Sequence, residues 1–346
     1  MSRSGARSPA GTSCWTRWGD DIVLNFILRR IAQGAALIVA MSMLAFVAIF
    51  ALGNPLTALI NPASPPEVLA RASHELGLDL PLYAQYLRFV FHLLHGDLGT
   101  SYITGEPALG LILSRFPATF ELTVSAMLVA TVIGIPLGVY TGVKASSLLG
   151  RTIGSVTILL ISIPSFWVGL ALVIVFGIEL RVLPTGGRGQ TEAWFGIQTS
   201  LATWDGLRHV ALPALNLAVF PLAVIIRLTR AGVQECMGAA FVTFARAKGL
   251  AMRRILFVYV LRSVAVPIVT VVGIVFGILL AFSVVTETIF SWPGTGRLAI
   301  EAIRGSDRPV IIAYLLFTVC IFIVVNLLVD IMCALIDPRM STQAQG

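Results

Sequence analysis

Lysine is nearly missing from this chain: Lys144 and Lys248 are the only two among 346 residues, and neither ends a glycine-rich run. No GxxxxGK(S/T) stretch occurs, so the chain lacks the P-loop that would cradle nucleotide phosphates. Charge of either sign is scarce, with 12% of residues Asp, Glu, Lys or Arg, about half the share usual in soluble domains. The cysteines Cys14, Cys236, Cys320 and Cys333 form no CxxC pair, which removes a disulfide framework and a zinc site. No HExxH occurs, because nothing completes His74-Glu75. His92, His95 and Asp97 lie close together but do not make a full ligand set. Neither a serine elbow nor a carboxylate pair of catalytic spacing is present. The chain therefore reads as a non-enzyme, with no metal and no cofactor of its own.

What remains is apolar, at 57% hydrophobic residues. A soluble protein could not hide that much greasy surface, which places the bulk of the chain in a membrane. Six runs approach the length of about 20 residues needed to cross the hydrocarbon. They fall at about 25–52, 121–141, 154–178, 210–228, 264–286 and 310–332. Backbone groups in lipid must be paired within their own segment, so all six are expected to be helices. The expected fold is an all-α polytopic membrane protein with a helical outer loop subdomain at 53–118 and a core at 119–335. Pro164, Pro213 and Pro221 fall inside the runs and can kink their helices.

Lys and Arg orient the spans. With the N-terminus inside, fifteen of the 24 cations fall in the inner segments and nine in the longer outer ones. Both termini are then cytoplasmic, including the tails at 1–24 and 336–346. Cations placed in short gaps between apolar runs are topology signals and not a nucleic-acid surface. The first run is longer than a signal-peptide core and no small-x-small site follows it, which favours a retained helix. A compositional break near residue 22 leaves open whether translation starts at Met1 or near Val23.

The densest basic cluster is TFARAKGLAMRRI, 243–255, in the inner loop 229–262. Upstream, Met237, Ala240, Phe241, Phe244 and Ala245 recur at helical spacing and form one apolar stripe. Gly249 follows Lys248 where a left-handed C-cap residue would sit, so the segment reads as a helix, a corner and a second helix. From the residues alone, two roles stay open: an anchor on anionic headgroups, or a helix offering Phe241 and Phe244 to a groove on a partner.

FVTFARAKGLAMRRI resembles the cytoplasmic loop of ABC-importer permeases, and most of all its dipeptide, oligopeptide and nickel branch. Other stretches, in order, agree: FILRRIAQG, HGDLGTSY (95–102), RFPATFELT, ETIFSWPGTGRL (287–298) and NLLVDIMCALIDPRM (326–340). The resemblance covers about 25–340, and the long first outer loop is similar to that of the first permease subunit. One departure is clear: the Glu-Ala-Ala of the wider motif aligns with Thr243, Phe244 and Ala245, without the acid. Its Leu-Pro end aligns with Leu261 and Arg262.

The resemblance implies a type I ABC-importer permease fold in the bacterial inner membrane. It implies partners: a second homologous permease, one or two P-loop ATPase subunits holding ATP and Mg, and a periplasmic or lipid-anchored substrate-binding protein. Membrane lipid surrounds the chain and nucleic acid is excluded. The segment 237–255 would couple to the ATPase through Phe241, Phe244, Ala245, Arg246, Lys248, Gly249, Leu250, Arg253 and Arg254. ATP-driven closure would move it and switch the spans from inward- to outward-facing, provided ATP favours the outward form.

At the outer end of the fifth span, Glu287, Trp292, Pro293, Gly294 and Arg297 are expected to gate the exit or dock a partner. Glu287 would pair with Arg297 or reach water, and Phe290 and Trp292 fit an interfacial aromatic belt. Asp330 is expected to pair with an arginine of the inner loops. The rival reading is an ion-coupled secondary transporter, which predicts mid-span ionisable groups and an internal repeat. Neither is evident here.

Overall fold

The computed structural model describes residue 30, residues 32–47, positions 65, 67, 71 and 74, and residues 79–194 and 196–336. The predicted tail at 1–24, nearly all of the tail at 336–346 and most of the helical run at 66–76 lie outside these residues. The helices are α1 (Ala32–Val47), α2 (Leu82–Leu94), α3 (Ala108–Val143), α4 (Leu148–Ser162) and α5 (Ser165–Glu179). After a small hairpin, β1 (Glu192–Trp194) paired antiparallel with β2 (Ile197–Thr199), come α6 (Trp204–Met237) and α7 (Ala240–Ala247). The chain closes with α8 (Met252–Phe282), α9 (Val284–Ile289), α10 (Thr295–Arg304) and α11 (Arg308–Ile336).

Among the described residues α3, α6, α8 and α11 are each long and apolar enough to cross a membrane. Helices α4 and α5 add a fifth crossing if taken as one bent span. Helix α1 is described over a length shorter than a full crossing. Six helices were expected, and four or five full spans plus α1 are what the described residues contain.

Proline explains the one break. Ile163 precedes Pro164 and takes an extended backbone (φ −84°, ψ 128°), so α4 stops there. The chain then turns by 105° into α5, which is a break and not the kink expected within 154–178. Pro213 and Pro221 lie inside an uninterrupted α6. Two helix starts, those of α4 and α6, are set by polar caps. Ser147 accepts from the Gly150 N–H at 3.0 Å, and Thr203 accepts from Gly206 at 3.0 Å.

The core lies where α3, α6 and α8 meet, around Leu122, Ala126, Ala214, Ala218 and Val275. Helices α3 and α6 run side by side because α3 presents glycine every fourth residue. Gly134, Gly138 and Gly142 face Ile225, Thr229 and Val233 in turn. A Cβ at Gly138 would fall 2.5 Å from Thr229 Cβ, so no larger residue fits without moving a helix. Small residues at this spacing let backbones approach closely in a membrane. Gly138→Leu is expected to cost about 3 kcal/mol by overpacking, read as a large fall in the midpoint of thermal aggregation in detergent. Gly110→Ala, whose Cβ has nothing nearer than 3.9 Å, should leave that midpoint unchanged.

Helices α3, α6 and α11 run from one end of the bundle, marked by Trp292, toward the other, marked by Gly249, and α8 runs back.

Candidate functional site

At the Gly249 end, α6 stops at Met237 and the chain turns directly into α7. The turn seats α7 on the ends of α3, α6 and α8 through Val242 and Ala245, which pack with Val233, Ile255 and Val260. The predicted single stripe is therefore divided. Ala245 points inward, and Val242, not singled out from the sequence, is its partner. Phe241 and Phe244 point away and stay 41% and 62% exposed. Burying the small apolar residues leaves the large ones outside, and solvent alone gives no reason for that arrangement.

The far end of α7 is closed by backbone geometry. Gly249 has φ +75°, a conformation that costs an L-residue about 1 kcal/mol. Its N–H donates to the Arg246 carbonyl at 2.9 Å, and that of Leu250 donates to Ala245 at 3.2 Å. This doubly bonded glycine cap turns the chain, and Met252 then starts α8. Arg246, Lys248, Arg253 and Arg254 are exposed around the corner. The Lys248 ammonium lies 4.5 Å from the Phe244 ring centroid, a cation–π contact that steadies the ring. The result is two aromatic rings on a rigidly seated helix, ringed by positive charge.

At the Trp292 end, the segment predicted as gate or docking surface is largely buried. Glu287 is 0% exposed. Its carboxylate accepts from Thr119 Oγ1 and Ser283 Oγ, each at 2.8 Å, and from the Arg297 backbone N–H at 2.9 Å. It therefore meets the free N–H groups in the first turn of α10, where a negative charge also suits the helix dipole. The expected Glu287–Arg297 pair exists through the backbone, because the Arg297 guanidinium turns to Glu301 at 2.9 Å. Water does not reach the carboxylate as the alternative required.

Phe290 and Trp292 are also 0% exposed, so they form no interfacial belt. Trp292 donates its indole N–H to the Ala118 carbonyl at 2.9 Å and packs in the core. Gly294 is buried for a steric reason: a Cβ there would sit 2.4 Å from the Glu287 carboxylate. Pro293 and Arg297 are half-buried.

Two further buried acids tie this end together, and sequence reading missed both. Glu121 on α3 receives Arg188 at 2.6 Å and the Ser200 N–H at 3.1 Å, which pins both sides of the hairpin to α3. Asp307, between α10 and α11, accepts from Ser101 Oγ at 2.5 Å and the Tyr102 N–H at 3.1 Å, anchoring the HGDLGTSY turn. The available signal was a lone carboxylate beside an apolar run, as in RFPATFELT. Elsewhere Asp330 pairs with Arg30 at 3.0 Å, an arginine at the foot of α1 and not of a connecting loop. His92 pairs with Asp97 at 3.1 Å, whereas the His95 ring lies 2.8 Å from the Phe91 carbonyl. Among the described residues no group of three or more His, Cys, Asp or Glu could hold a metal ion.

Comparison with known proteins places this arrangement. Residues 134–342 match the family model of the binding-protein-dependent transport system inner membrane component, and residues 23–123 match the model of its N-terminal part. The dipeptide transport system permease protein of Escherichia coli is 36% identical over 334 residues, covering 92% of this chain and 98% of that one. The di/tripeptide transport system permease protein of Pseudomonas aeruginosa is 38% identical over 335 residues, covering 93% and 100%. An oligopeptide transport system permease protein of Bacillus subtilis is 33% identical over 316 residues, covering 91% and 98%. Among solved structures, one of the MetNI methionine ABC transporter in inward-facing conformations aligns with a TM-score of 0.54. It is 17% identical, and the alignment covers 66% of this chain and 96% of that one. At that identity it shows a shared fold.

Proposed function

The chain belongs to the family of binding-protein-dependent transport system inner membrane components, and from that premise we propose that it carries di- or oligopeptides into the cell. It is a multi-pass permease subunit of an ABC importer in the inner membrane, and it is not itself an enzyme. The ion-coupled alternative has no support from relatives that belong to binding-protein-dependent systems.

The finer assembly is part of the proposal. A second homologous permease completes the pathway, since one set of spans leaves little room for a peptide. One or two kinds of P-loop ATPase subunit hold ATP and Mg, and a periplasmic or lipid-anchored binding protein delivers the solute. Both termini lie in the cytoplasm, which puts Gly249 and α7 on the ATPase side. The observation that carries the coupling role is the division of α7: Val242 and Ala245 seat it, and Phe241 and Phe244 remain outside among cations. Aromatic anchors within a ring of charge are what a partner's groove takes up.

Mild-detergent purification from the native membrane, followed by mass spectrometry and dipeptide uptake in proteoliposomes, tests this reading. A P-loop ATPase and a second permease should co-purify, and uptake should need ATP. Recovery of the chain alone, or uptake driven by an ion gradient, would sink it.

A further inference from the structure

Two arginines on α6 have no role in the scaffold described above. Arg227 and Arg230 are three residues apart and so share a side of the helix. They lie just inside the level at which Gly142 meets Val233. Together they border two adjoining recesses. One, of about 570 Å³, runs along α6 toward Gln234. The other, of about 250 Å³, is walled by Thr141 of α3 and by Gly154 and Thr157 of α4. No carboxylate lines either recess. Among the described residues neither guanidinium has a hydrogen-bond or ion-pair partner. By contrast Arg30, Arg188 and Arg297 each hold a carboxylate.

Gly154 of α4 lies beside the end of the Arg230 side chain. A Cβ there would come within 3.0 Å of Arg230 Nη1, so the guanidinium lies against the backbone of α4. Arg230 is half-buried and lines the recess, and Arg227 beside it is exposed at its mouth. Two guanidiniums with free donor forks and no internal counter-charge are a receptor for an oxyanion.

We propose that Arg227 and Arg230 form an oxyanion site that receives the terminal carboxylate of the peptide near the Gly249 end of the pathway. The assignment rests on the peptide reading above. Every unmodified peptide ends in a carboxylate whatever its side chains, so a site for that group serves a carrier of varied sequences. Partial exposure to water keeps the grip weak enough for release. Glycine at position 154 leaves the fork free, and a larger residue there would crowd it.

The test uses the whole complex purified from its native membrane and reconstituted in proteoliposomes. Uptake of a labelled dipeptide and ATP hydrolysis stimulated by loaded binding protein are measured together. Loss of a charge-assisted bidentate contact should lower uptake about ten-fold or more in Arg227→Gln/Arg230→Gln. Hydrolysis should stay within about two-fold of wild type, because binding-protein docking and the α7 corner are untouched. The Arg227→Lys/Arg230→Lys pair should recover only part of the uptake, since the charge is restored without the fork. Gly154→Leu should reproduce the loss with both arginines in place.

Undiminished uptake in the glutamine pair would overturn the site, as would hydrolysis falling in step with uptake. A loss confined to vesicles containing anionic phospholipid would overturn it in favour of a lipid-phosphate contact. A wild-type complex that moves no peptide would overturn the peptide reading, and this site with it.

Discussion

Phe244→Asp is expected to strip the ATPase from the complex while leaving this chain folded in the membrane. The ring is 62% exposed, so its removal takes little from the core, and the aspartate would be solvated in the free chain. In a partner's apolar groove the same aspartate loses an aromatic anchor and must shed its water. Aromatic anchors of this kind are worth about 2–4 kcal/mol on truncation, and an unpaired buried charge adds to the loss. A weakening of roughly a hundred-fold or more is expected, since each 1.4 kcal/mol is ten-fold. Pull-down with quantitative mass spectrometry should show the second permease retained and the ATPase lost, and peptide uptake should vanish. Phe241→Asp should do the same less severely, because that ring is 41% exposed and has less surface to offer.

Two companion variants separate docking from mere integrity of the corner. Val242→Asp puts its charge in the small core that seats α7 and should lower the stability of the chain itself. Gly249→Ala meets no atom within 4 Å and bears only the left-handed backbone strain of about 1 kcal/mol. It should keep the ATPase with modestly reduced affinity. If Phe244→Asp retained a full complement of ATPase, α7 would be a headgroup anchor, and the lipid reading of the cluster would replace coupling.

The sequence made parts of this corner legible and hid others, for a physical reason. Gly249 was readable because a left-handed cap has a narrow chemical solution. The helical period at 237–245 was readable because 3.6-residue spacing shows in one dimension. Which side of that helix faces inward was not, since both sides carry apolar residues. Only the tertiary seat on α3, α6 and α8 chooses Val242 and Ala245 over the phenylalanines. The spans were visible as greasy runs, yet their ends were not. Helix α3 starts at Ala108, well before the apolar run at 121, because helical hydrogen bonding continues after hydropathy fades. The buried acids were the least legible. Glu121, Glu287 and Asp307 look like interfacial charges until Arg188, the first turn of α10 and Ser101 come to meet them from distant parts of the chain.

Glu287→Ala is expected to unfold the Trp292 end rather than simply alter a gate. The substitution leaves Thr119 Oγ1, Ser283 Oγ and the Arg297 N–H without their shared acceptor, in a place water does not reach. An unsatisfied buried donor costs about 1–3 kcal/mol, and breaking a buried charged network costs about 3–5 kcal/mol in all. That is a large fraction of the stability of most folded domains. The first turn of α10 should release, seen as a lower thermal midpoint in detergent and new tryptic cleavage at Arg304. Glu287→Gln keeps one carbonyl acceptor and the side-chain volume, so about half of the loss is expected.

Gly294→Ala is the decisive partner to these variants. It leaves the carboxylate in place, but its Cβ would arrive 2.4 Å from it and must push α10 or Glu287 aside. If Glu287 acts as a scaffold, Gly294→Ala should fail much as Glu287→Ala does, with stability and transport falling together. If Glu287 instead gates the exit by its charge, Glu287→Gln should abolish transport in a chain of undiminished thermal stability. The burial of the carboxylate and its donation partners on three separate elements favour the first outcome. Thr119 within α3, the end of α8 and the start of α10 are joined through one group, and none of its polar contacts is left over for a passing solute.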